Sequence, residues 1–160
     1  MLRRRPFKDS RGSTIIPFLM LIPSLIIFSV ILIDLVGMFV TLDKLYNTAT
    51  LSAFSGVQQV DESLKQSENI LVLDHPLAYQ AAASTAAQNL SGVNGSTSYS
   101  ITFSSPTDAG AVADPYGATI EDQINVTIRD DYTPMIDPFG SALMIPFSVT
   151  QSAVPQEAHS

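Results

Sequence analysis

The chain has 160 residues, no cysteine and a formal charge of −7, and that charge is unevenly spread. Arg3, Arg4, Arg5, Lys8 and Arg11 put five of the eight basic side chains in the first eleven positions, whereas from Ser13 onward three basic residues face fourteen acidic ones, a net of −11. So acidic a body argues against nucleic acid as a partner, and the lack of cysteine rules out a disulfide framework or a thiolate metal site.

Residues 13–33 form a 21-residue run without a charge, including IIPFLMLIPSLIIFSVILI. At about 1.5 Å per helical residue it covers roughly the 30 Å hydrocarbon thickness of a bilayer. A secretory h-region is shorter, about 7–15 residues, and is followed closely by a small-residue cleavage site. Here the run is followed by DLVGMFVTLDKLY. Arg4-Arg5-Pro6-Phe7-Lys8 has the outline of a twin-arginine signal, but such signals end in a less apolar, cleavable stretch. The sequence therefore predicts a membrane anchor, with the basic cluster as its cytoplasmic flank under the positive-inside rule. Residues 1–12 read as a basic cytoplasmic stub or leader, 13–40 as a transmembrane helix and 41–160 as an extracytoplasmic α+β domain. Asp34 would lie about 32 Å along the helix from Ser13, at the outer boundary where water reaches it.

Beyond Val40 the apolar positions Leu42, Leu45, Ala49, Phe54, Val57 and Val60 keep a three-to-four spacing, the period of an amphipathic helix. No proline occurs between Pro23 and Pro76, so one near-continuous helix is expected from about Ser13 to Glu68. Tyr46, Ala49, Ala53 and Phe54, with Gly56, are the expected helix–head packing residues. Residues 69–76 read as a connection in which Asp74 caps a second helix over the alanine-rich 77–90, ended by the turn residues SGVNG.

After Gly95 the period changes to two. Tyr99, Ile101 and Phe103, then Ile124, Val126 and Ile128, then Ile145, Phe147 and Val149 each alternate with polar residues, predicting three half-buried strands. The loops between them carry the turn sequences DPYG and DPFG. Helices followed by an antiparallel sheet of three or more strands make the fold class α+β. No catalytic, metal or cofactor set stands out. His75 and His159 are isolated, no phosphate loop or nucleophile elbow is present, and Asp130, Asp131 and Asp137 lack the spacing of a calcium loop and read as a solvated acidic face. An enzyme is not expected.

A basic stub, Arg11-Gly12 and a long helix with an apolar first half together resemble a type IV pilin-type signal anchor. More narrowly, Arg11-Gly12, Phe18, Ile22-Pro23, Asp34-Leu35-Val36-Gly37 and Leu45-Tyr46-Asn47-Thr48-Ala49, leading to Ala53 and Gly56, resemble TadE/TadG-like proteins of tight-adherence (Flp) pilus systems over residues 11–57. The segment from Ile124 to Val154 resembles the family's closing strands more loosely. The resemblance implies a pilin-like fold and a cut by a prepilin peptidase between Gly12 and Ser13. It makes Pro17, Phe18, Pro23 and Asp34 anchor and assembly positions. The implied partners are membrane lipid, other pilin-like subunits and the pilus assembly platform, with no cofactor. Pilins commonly carry glutamate at the fifth residue after the cut, where this chain has Pro17, and that departure implies a minor or tip pseudopilin, or an anchor left uncut. The alternative expectation is a membrane-anchored extracellular binding module that grips a ligand with loops 105–119 and 130–141.

Overall fold

A computed structural model describes residues 15–68, 70–91, 93, 96–105, 119–120, 122–134 and 144–156. The chain divides into two compact units, Met1–Gly37 and Met38–Ser160. Helix α1, Ile15–Val57, is 43 residues long. Its stretch within the first unit is long and apolar enough to cross a membrane, and the large side chains from Phe18 to Ile33 are exposed. A face that is apolar all round needs lipid or protein as its solvent. Its two serine hydroxyls bond within the helix, which suits an apolar solvent: Ser24 donates to the Met20 carbonyl at 3.0 Å and Ser29 to the Leu25 carbonyl at 2.8 Å. Pro23 lies inside the helix and has no N–H to offer the Leu19 carbonyl.

In the second unit the expected helix to Glu68 is corrected: α1 stops at Val57. Nothing in the composition of GVQQVDESLKQSE forbids a helix. Its backbone is instead captured by a distant segment, since Val60 bridges Leu73, the Asp61 N–H donates to the Val72 carbonyl and the Asp74 N–H donates to the Gln59 carbonyl, both at 2.8 Å. The chain re-enters a helix only after this clasp, as α2, Glu62–Glu68. Asp61 starts it by accepting from the Ser63 N–H at 2.9 Å. β1, Ile70–Leu71, follows, and α3 spans His75–Leu90. Asp74 is the N-cap of α3, as the sequence predicts, accepting from the Leu77 N–H at 3.1 Å, with Pro76 in the first turn where its missing donor costs nothing.

The three expected strands are present as β2 (Ser98–Ser104), β4 (Gln123–Tyr132) and β5 (Ile145–Ala153), and a further two-residue strand, β3 (Thr119–Ile120), pairs in parallel with β1. The three longer strands form one antiparallel sheet in the order β2-β4-β5. The layout is α+β. On the central strand Ile124, Val126 and Ile128 are fully buried against Leu45, Ala49 and Ala53 of α1 and Ala78 and Ala82 of α3. Asn125, Thr127 and Arg129 alternate onto the other face, where Ser and Thr from β2 and β5 surround them. There Asn125 donates to the Ser104 hydroxyl and accepts from Ser152, and Thr127 bonds Thr150 across the ladder. Each fully buried Ile or Leu contributes about 1.5–3 kcal/mol, so this helix-on-sheet layer holds the unit together. β4 runs two residues further than the alternation implied, through Asp131 and Tyr132.

Candidate functional site

The residues expected to matter lie mostly on α1, and helical periodicity sorts them into two faces. Within the second unit, Leu45, Thr48, Ala49, Ser52, Ala53 and Val57 turn inward and are buried. Most are small, which lets α3 approach closely through Ala78, Ala82 and Ala86, all fully buried. Gly56 is the tightest point. A Cβ there would stand 3.1 Å from the Ala78 carbonyl oxygen and 3.3 Å from the Ala82 Cβ, and closer still to Ile124 Cδ1. Ala49 and Ala53 therefore take part in helix–head packing. Tyr46 and Phe54 are instead 51% and 56% exposed; at 100° per residue Phe54 falls nearly opposite Gly56, whereas Tyr46 falls at the edge of the buried stripe.

That outward face is mixed, with Asp43, Asn47 and Gln58 exposed on it beside Tyr46, Leu51 and Phe54. Phe39 and Val40, earlier in the same unit, are exposed as well. Phe54 lies about 21 Å of helix rise beyond Val40. Next to Phe54 is a groove of about 480 Å³, floored by Val57, Val60, Leu71, Ala153 and Val154 and rimmed by Glu62 and Lys65.

The remaining predicted positions are placed as follows. Pro17 and Phe18 are exposed in the first turns of α1, Phe18 at 69%, and Pro23 is exposed one turn further on. Asp34 is half-buried. Gly12 and Ser13, the expected peptidase site, lie outside the described residues, as do both Asp-Pro-aromatic-Gly turns and most of the two candidate binding loops, 106–118 and 135–143. Asp130, expected on a solvated acidic face, is instead only 2% exposed. Strand alternation puts it on the same side as Ile128, where Thr97 donates to its Oδ1 at 2.9 Å; its Oδ2 has no hydrogen-bond partner among the described residues.

Sequence reasoning left His75 as an isolated histidine. Its imidazole Nε2 pairs with the Asp122 carboxylate, and its ring stacks on Phe103 with centroids 4.1 Å apart and planes 7° from parallel. This clamp ties the first residue of α3 to the entry of β4 and the end of β2. A histidine held by a carboxylate supplies two of the three members of a nucleophilic triad, yet among the described residues no hydroxyl hydrogen-bonds to His75. Also among them, no group of three or more His, Asp or Glu side chains is arranged to hold a metal. The partners at positions 103 and 122 are far from 75 in sequence, so no local spacing could have found this clamp.

The class these features define is an α+β chain with an N-terminal helix able to cross a membrane. No protein-family model matches the chain, and neither a curated protein nor a solved structure matches it.

Proposed function

We propose that this chain is a non-enzymatic minor pilin or pseudopilin that acts in assembly of a tight-adherence (Flp-type) bacterial surface pilus. α1 holds it in the inner membrane as a single pass, with the arginine-rich stub cytoplasmic and the α+β unit outside.

The observation that carries this reading is the second half of α1. The helix is 43 residues long, about 64 Å, twice the roughly 30 Å a bilayer core requires. Past the expected span it still exposes Tyr46, Leu51 and Phe54, among the polar Asp43, Asn47 and Gln58. These exposed apolar side chains suit packing beside the helices of other anchored subunits, excluding water from aromatic and aliphatic surface worth about 25 cal/mol per Å². Pro17 supplies no carboxylate near the start of the helix, which favours a position at the filament tip, where no subunit above needs one.

The test is a photo-crosslinking residue at Phe54, with a second at Leu90 as a control away from this face, in cells that carry the native pilus system. The reading expects Phe54 adducts with other membrane-anchored pilin-like subunits and none of these from Leu90. Adducts with lipid alone, or equal labelling from both positions, would overturn it.

A further inference from the structure

β2 is an edge strand among the described residues, with β4 on one side only. Edge strands invite pairing, and proteins blunt them with charges, proline or bulges. β2 has none of these. Its seven residues, SYSITFS, contain no charge, no proline and no glycine. The other edge, β5, carries Pro146, which lacks a ladder donor.

The order of side chains in β2 is also a palindrome by type about Ile101: hydroxyl, aromatic, hydroxyl, Ile, hydroxyl, aromatic, hydroxyl. An isologous contact requires this kind of self-complementarity, because under a two-fold axis residue i meets j and j meets i. Placing the axis at Ile101 sets Ser98 against Ser104 and Ser100 against Thr102 on the outward face. On the inward face it sets Tyr99 against Phe103. Hydroxyl–hydroxyl and aromatic–aromatic pairs are the favourable cross-strand combinations. Ser98, Ser100 and Thr102 are exposed, and Tyr99 is exposed while Phe103 is already braced by the His75 ring. Charge points the same way. Two copies of a body with net charge −11 beyond Gly12 repel across most surfaces, and an uncharged strand lets them meet without opposed carboxylates.

The geometry points to β2 as a docking edge for a second copy of this chain, the two β2 strands pairing antiparallel about Ile101 to join two three-stranded sheets into one of six strands. This inference does not depend on the pilus reading, since it needs only the full chain.

The chain has no cysteine, so introduced thiols report without background. Two pools of full-length protein in detergent micelles, Ser100→Cys and Thr102→Cys, distinguished by tag size, are mixed and oxidised. Directly opposed residues have Cβ atoms about 4.5–5.5 Å apart, within disulfide reach, whereas diagonal ones at about 7–8 Å are not. The expected result is a mixed Ser100–Thr102 disulfide dimer several-fold more abundant than either homodimer. Homodimers equal to or exceeding the mixed species would overturn the proposal, as would a chain that stays monomeric under oxidation. Adding Thr102→Lys to pools carrying Ser98→Cys and Ser104→Cys provides the second arm. The expected outcome is loss of their mixed dimer with an unchanged unfolding midpoint; persistence of that dimer overturns the self-pairing.

Discussion

Gly56 concentrates the packing problem of the second unit into one position. Alanine there would gain about 0.5–1 kcal/mol of helix propensity, but its methyl would press on the Ala78 carbonyl, a backbone atom that moves only if α3 moves, and on the buried Ile124. Overpacking of this kind costs about 1–3 kcal/mol, so the clash wins. Gly56→Ala should lower stability by about 1–2 kcal/mol in urea unfolding of the full chain in micelles; an unchanged or raised midpoint would show that α1 and α3 are not in close contact at this point. The same scale shows where sequence reading falls short. Ala49 and Ala53 were legible as packing residues, because small side chains at a spacing of four define a face. Tyr46 and Phe54 were not, because aromatic rings suit a core and an exposed face equally, and Tyr46 projects between the buried Ala53 and Val57 yet is half exposed. Asp130 misled for the opposite reason: a carboxylate beside Asp131 looks solvated until the register of β4 turns it inward beside Ile128.

Among the elements, the three strands and α3 follow from local signals. Period-two alternation gives β2, β4 and β5, and α3 has its cap, its early proline and its alanines in sequence. The cap makes a direct prediction. Asp74→Ala removes the acceptor for the Leu77 N–H and should cost about 1 kcal/mol, while Asp74→Asn, which keeps an acceptor, should cost only a few tenths; equal losses from both would mean the side chain does not cap. The end of α1 was not legible. Residues 58–61 keep a helix-compatible composition, and what diverts them is hydrogen bonding to residues 72–74, a long-range pairing that no window along the chain reveals. β1 and β3 escaped for a related reason: two-residue strands carry no periodicity.

At the scale of the whole molecule, the charge distribution and the apolar run carry the account. A basic stub, a charge-free run of 21 residues and an acidic remainder are the pattern expected of a single-pass anchor with its head outside. Under the proposed reading, the long helix gives that anchor a second role, as a surface for neighbours. The assembly reading also requires the helix to be freed from the stub, and this is where it can fail most plainly. The decisive measurement is the intact mass, with N-terminal sequencing, of the protein recovered from membranes of cells that carry the cognate peptidase. The account predicts a membrane-bound chain beginning at Ser13. A chain retaining Arg3 to Arg11 would contradict pilin-type processing, and one beginning beyond Val40 would contradict the anchor itself.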